Sequence, residues 1–180
     1  VAGVDLADAA ARTLPDVVAP GLRVLFCGIN PGLYSAATGY HFARPGNRFW
    51  PALHRSGFTA RQFRPEEQEG LLGAGLGITN IAPRATARAA ELSREELREG
   101  AGVLAAKAAW LRPAWLAVVG VSAFRIAFGR PGASIGPQSE TIGASCVWIL
   151  PSTSGLNAHW ALDALAAEFA RLREAAGAGT

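Results

Sequence analysis

Two short loops hold most of the side chains able to do chemistry in this 180-residue sequence. The first is Gly28-Ile29-Asn30-Pro31-Gly32, directly after the apolar run Leu22 to Gly28. The second is Pro151-Ser152-Thr153-Ser154-Gly155-Leu156-Asn157, directly after the apolar run Cys146 to Leu150. Proline stiffens both loops and glycine lets the backbone bend sharply, which suits main-chain groups held against a ligand. Their polar resources are the Asn30 amide, serine hydroxyls and backbone N–H groups. Such a set orients water and hydrogen-bonds a polar ligand, but the amide takes up no proton at neutral pH. Gly28 to Gly32 matches neither the dinucleotide pattern Gly-x-Gly-x-x-Gly nor the phosphate loop ending in Lys-Ser/Thr. His41, His54 and His159 stand far apart with no nearby cysteine or carboxylate cluster, so neither a metal nor a cofactor is expected.

These loops need rigid elements behind them. Leu22 to Gly28 opens after Pro20-Gly21 and reads as a buried strand, and further strands are expected at Ile78–Ala82, Trp115–Val119 and Cys146–Leu150. Asn47 reads as a cap or loop brace for a helix through Phe49, Trp50, Leu53 and His54, stopped by Gly57. A short helix is expected within Asp5 to Leu14, and a polar helix around Pro65 to Leu72. Ser93-Arg94-Glu95-Glu96 is a capping box opening a helix to about Leu111. Another helix is expected near Ser122 to Phe128, and Leu162, Leu165, Phe169 and Leu172 recur at amphipathic helical spacing. Ile29 to Gly46 and Pro131 to Gly136 read as irregular. Short apolar strands alternating with helices predict one three-layer α/β domain over 1–180, its core at about 22–173, around a central, mostly parallel sheet. Ligands bind such sheets beyond the carboxyl ends of the strands, where both loops must emerge.

Composition narrows the classes. A sequence 50% hydrophobic and 17% charged is not disordered. No apolar run reaches the roughly 18 residues of a membrane span, so no membrane partner is expected. The amino end lacks the pattern of a signal peptide, which predicts a cytoplasmic protein, nucleoid-associated in a bacterium; a monomer is expected. Cys27 and Cys146 both lie in apolar runs and read as buried, reduced thiols. The net charge of +3 is unevenly spread: between Val17 and Pro65 stand Arg23, Arg44, Arg48, Arg55, Arg61 and Arg64 with no acid. Gly100 to Ser139 carries Lys107, Arg112, Arg125 and Arg130, again without acid. That distribution predicts a positive face for a polyanion such as nucleic acid.

Gly28-Ile29-Asn30-Pro31-Gly32, followed after six residues by Gly39-Tyr40-His41-Phe42 and then by Pro45-Gly46-Asn47-Arg48-Phe49-Trp50, closely resembles the mismatch-specific uracil/thymine DNA glycosylases. Pro151-Ser152-Thr153-Ser154-Gly155-Leu156 is similar to the DNA-penetrating loop of that family. Weaker similarity at Phe58-Thr59, Gly77-Ile78-Thr79-Asn80 and Leu92-Ser93 extends the match over Leu22 to Leu172. The resemblance implies a uracil-DNA-glycosylase-like fold. It also implies monofunctional hydrolysis, in base-excision repair, of the N-glycosidic bond of uracil mispaired with guanine, with thymine a poorer substrate. The partner is then double-stranded DNA containing G·U or G·T mismatches, whose target base must be flipped out before it can react.

By the same resemblance, Asn30 is the catalytic residue, orienting the attacking water through its carbonyl oxygen. Ile29, Ser35, His41, Phe42 and Asn80 form the base pocket, with Phe42 stacking on the flipped base. Leu156 is the wedge that fills the vacated stack, and Ser154, Gly155 and Asn157 accompany it in reading the orphaned guanine. Arg44 and Arg48 are phosphate-contact candidates, with Arg55 a third. On the residues alone, Leu156 also reads as a hydrophobic staple of the last helix, Phe42 as core, Asn30 as a turn residue and the arginines as solvated. Two positions depart from the family: Ala158 stands where some relatives carry a basic residue, and Ala90 where relatives tend to be polar. Lys107 is remote in sequence from the motifs, so no Schiff-base step is expected. Two other readings stay open, a non-catalytic mismatch-binding module and an α/β enzyme acting on a small nucleoside or nucleotide.

Overall fold

A computed structural model describes residues 3–178. Five strands form one sheet: β1 (Val24–Gly28), β2 (Leu76–Asn80), β3 (Trp115–Val119), β4 (Gly136–Ile142) and β5 (Ser145–Leu150), in the order β2-β1-β3-β5-β4. All neighbours pair in parallel except β4, which lies antiparallel to β5 at one edge. The helices are α1 (Leu33–Thr38), α2 (Phe49–Arg55), α3 (Arg94–Leu111), α4 (Val121–Ala127) and α5 (Leu162–Ala176). Period-two alternation decides which side chains meet which layer. Val24 and Phe26 of β1 pack with Phe49, Leu53, Phe169 and Leu172 from α2 and α5. Leu25 and Cys27 face the other way, toward Leu104, Leu111 and Phe124 from α3 and α4. The architecture is thus the three-layer α/β sandwich expected, and no described helix is long and apolar enough to cross a membrane.

Several local expectations change. The stretch 29–46 is not wholly irregular: α1 occupies Leu33–Thr38, closed by Gly39 at φ 83. The irregular stretch from Pro131 ends at Gly136, where the polar strand β4, which was not expected, begins, and the segment Pro65–Ala74 is a 3-10 helix. Within Asp5 to Leu14 only Ala9–Ala11 forms a 3-10 turn. The second strand begins two residues before the expected Ile78, at Leu76. Gly132 to Gly136 spells Gly-x-Ser-x-Gly, but it leads into an edge strand rather than joining a strand to a helix, so it is not a nucleophile elbow. Cys27 is fully buried as expected, and burial pushes its thiol far above the ordinary range. Cys146 is exposed instead: α5 reaches the same face only two residues on, where Glu168 accepts from the Trp148 indole N–H.

Gly28 and Asn80 pair in register at the carboxyl ends of β1 and β2, and Val119 pairs with Leu150 at the ends of β3 and β5. Both chemical loops therefore leave the same edge of the sheet.

Candidate active site

A cavity of about 370 Å³ opens at that edge, a size typical of small-ligand sites. It is lined by Ile29, Asn30, Ser35, His41, Phe42, Arg44 and Asn80 from the first half of the chain, and by Ser154 and Leu156 from the second loop. All five expected base-pocket residues and Asn30 thus meet at one site.

Asn30 is held by its nitrogen. Nδ2 donates to the Arg84 carbonyl and to Thr86 Oγ1, both at 2.8 Å. A carbonyl oxygen only accepts, so the atom facing Arg84 must be nitrogen and the amide orientation is fixed. Thr86 Oγ1 in turn donates to the Arg88 carbonyl at 2.7 Å, which directs its lone pairs back at Asn30. Asn30 Oδ1 makes no hydrogen bond among the described residues, so the amide keeps a free acceptor. A carboxylate here would set an anionic oxygen against the Arg84 carbonyl; the surroundings fit an amide.

The pocket floor is an aromatic platform. Phe42 sits at φ 52, a backbone region costly for a bulky residue. Its neighbours hold it there: His41 N–H donates to Gln68 Oε1 at 2.8 Å, the Trp50 indole N–H to the His41 carbonyl at 3.0 Å, and Ala43 N–H to Ser35 Oγ at 3.1 Å. The Phe42 ring stacks on Phe49 with centroids 4.1 Å apart, and Phe49 packs edge-on against Phe26 in the core. Gly28 lies beneath; a Cβ there would stand 2.5 Å from Asn80 Oδ1 and 3.3 Å from Phe42 Cζ.

His41 is 2% exposed, and its Nε2 lies 2.8 Å from the Pro15 carbonyl. That acceptor requires the proton on Nε2, so Nδ1 is the atom that accepts from Asn80 Nδ2 at 3.4 Å. Burial pushes the pKa below its ordinary 6.5, against the opposing pull of the Pro15 carbonyl. Between the lowered folded-state value and 6.5 the unfolded chain binds a proton that the native chain does not. Stability from this group is therefore complete above about pH 6.5 and declines as pH falls below it. Melting temperatures between about pH 8 and pH 5 should fall less in His41→Gln than in the unmodified protein. Parallel profiles would contradict the assignment.

On the far wall, Leu156 is 74% exposed, an unusual state for a leucine and the opposite of a packed staple. Gly155 approaches the first loop closely, since a Cβ on it would lie 2.8 Å from the Gly46 carbonyl oxygen. Asn47 Oδ1 joins the two segments, accepting from Phe49 N–H and from Thr153 Oγ1, each at 3.0 Å. Ser154 Oγ accepts from Leu156 N–H at 3.2 Å. The Asn157 side chain folds back, with Nδ2 on the Ser152 carbonyl at 2.9 Å, so it braces the loop rather than pointing out to read a base.

The arginines divide. Arg44 is exposed at the cavity rim and forms no ion pair among the described residues. Arg88, which also lines the cavity, is likewise exposed and outside those ion pairs, a position that no sequence motif marked. Arg48 does not face phosphate as expected: its guanidinium turns inward onto the Ser154, Asn157 and Trp160 carbonyls. Arg55 pairs with Asp163, and Arg61 and Arg64 with Glu67. The positive face expected from the acid-free stretch is therefore reduced: Asp163, distant in sequence, pairs with Arg55, and Glu67, just beyond the stretch, serves both Arg61 and Arg64. Lys107, remote in sequence, borders a neighbouring cavity that shares Asn80, yet its ammonium is bound to the Asp16 carboxylate and to Thr79 Oγ1 at 2.8 Å.

Thr86 and Gln68 carried no sequence signal of their own. Each acts by holding another residue, Asn30 and the His41 main chain respectively, across long gaps in the chain.

Comparison with known proteins bears on both fold and family. The solution NMR structure of a Methanosarcina acetivorans protein described as a candidate uracil DNA glycosylase superposes with a TM-score of 0.61, over 90% of this chain and 98% of that one. At 18% identity this likeness speaks for the fold. The family model of the uracil DNA glycosylase superfamily matches residues 15–175. With the whole sheet and both site loops inside that match, the chain belongs to the uracil DNA glycosylase superfamily.

Proposed function

We propose that this DNA glycosylase removes uracil mispaired with guanine, and thymine more slowly, by flipping the base onto Phe42 and delivering a water held by Asn30. The observation that carries the reading is the Asn30 amide. Both its N–H donors are engaged, and its free carbonyl oxygen stands in a cavity shared with an exposed leucine.

In this account Leu156 enters the stack as the base leaves, and the Phe42 face receives the pyrimidine at about 1–3 kcal/mol of stacking. The C1′–N1 bond breaks with its electron pair moving to N1, so positive charge grows on the sugar and negative charge on the base. Water oriented by Asn30 Oδ1 then forms the new C1′–O bond and loses its proton to solvent, since an amide accepts none. Main-chain N–H groups of the pocket stabilise the departing anion. Arg44 and Arg88, both exposed at the cavity, engage the phosphates of the bound duplex.

Discrimination follows from opening cost: a mispaired base costs least to extrude. Single-turnover base release should therefore fall in the order G·U, A·U, with G·T below G·U, at about tenfold or more between the first two. Equal rates opposite guanine and adenine would remove mismatch selectivity from the account. Release of thymine faster than uracil would reverse the assigned substrate.

A further inference from the structure

Arg48 carries a second consequence of the site's construction, one that rests on the wedge reading of Leu156. Its main-chain N–H donates to the Thr153 carbonyl at 2.9 Å. Its Nη2 donates to the Ser154 and Asn157 carbonyls at 2.7 and 3.0 Å, and its Nη1 to the Trp160 carbonyl. Those acceptors bracket Leu156 on both sides. Arg48 itself stands at the amino end of α2, immediately before Phe49, the ring on which Phe42 stacks. One corner of the helix thus holds the base platform through Phe49 and the wedge loop through Arg48.

The arrangement is costly. Arg48 Nε is a buried side-chain nitrogen with no partner among the described residues, and a buried donor left unmade is unfavourable. A planar guanidinium serves carbonyls spread over 154–160 at once, which a lysine ammonium on a flexible stem does not reproduce. We infer that Arg48 is a positioning residue for the wedge: it fixes the height of Leu156 above the Phe42 platform, so that base extrusion and base capture are geometrically coupled.

A wedge is needed in proportion to the cost of opening the pair. Excision of uracil opposite guanine should therefore suffer more from a misplaced wedge than excision opposite an abasic-site analogue, where no pair has to be broken. The experiment compares single-turnover rates on those two duplexes for the unmodified protein, Arg48→Lys, Arg48→Gln and Leu156→Ala. The two Arg48 variants are expected to lose about tenfold more rate opposite guanine than opposite the abasic analogue, with the same partner dependence as Leu156→Ala. Equal losses on both duplexes, with Leu156→Ala still partner-dependent, would mean that Arg48 only supports the fold and overturns the proposal. Hydrogen exchange of the full chain supplies a second readout. Faster exchange over 152–158 with unchanged exchange in β1 is expected, and unchanged exchange over 152–158 in a folded variant also overturns it. If the unmodified protein releases no uracil from either duplex, the functional reading fails first and this inference falls with it.

Discussion

Asn30→Ala is expected to lower single-turnover release of uracil from a G·U duplex by about 10³-fold, the scale set by losing one preorganised polar group and the orientation of the nucleophile. Binding to a duplex carrying an abasic-site analogue should change by no more than a few-fold, because the amide contributes to the reacting water rather than to the DNA surface. Stability should change by only about 1 kcal/mol. The Arg84 carbonyl that Asn30 leaves behind is at an exposed position where water can replace the amide. The decisive feature is the split between chemistry and binding. A variant that releases uracil at the unmodified rate would take Asn30 out of the mechanism. A variant that loses binding and rate together would make it a fold residue.

Gly28→Ala is expected to reduce release by about a hundred-fold with a smaller loss of stability, about 1–3 kcal/mol for an overpacked methyl. The added Cβ would meet Asn80 Oδ1 at 2.5 Å, so the Asn80 side chain must move. Moving it breaks the bond to His41 Nδ1 and pushes on the Phe42 ring, which already sits in a strained backbone region. The lost rate reports on pocket shape, and thermal unfolding of the same variant separates it from global damage. An alanine variant with unmodified rate would show that the floor of the pocket does not receive the base.

The strands were legible because β1, nearly all of β3 and the Val147–Leu150 part of β5 are buried on both faces and are apolar there. For the same reason their carboxyl-end loops, and with them Asn30 and Leu156, could be assigned to one edge. Strand β4 gave no such signal: Pro137, Ser139, Glu140 and Thr141 are exposed and show no continuous apolar run, whereas the other edge strand, β2, is buried. Helix α1 hid in a glycine-rich stretch, though Gly32 and Gly39 are its stop points. Arg48 shows the deeper limit. Its residue type and its acid-free surroundings suggested a phosphate contact, but which way a side chain turns depends on carbonyls more than a hundred residues away. The ion pairs of Arg55 with Asp163 and of Lys107 with Asp16 are long-range in the same sense. Linear charge blocks say little about surface charge once such pairs form.

The most direct test is base release by the purified, unmodified protein from a duplex with one labelled uracil opposite guanine, followed by strand analysis before and after alkali. The account predicts free uracil in stoichiometric amount and a strand that stays intact until alkali cleaves it at the abasic site. Tight binding to that duplex with no uracil released, or strand cleavage without alkali through an amine intermediate, would contradict it.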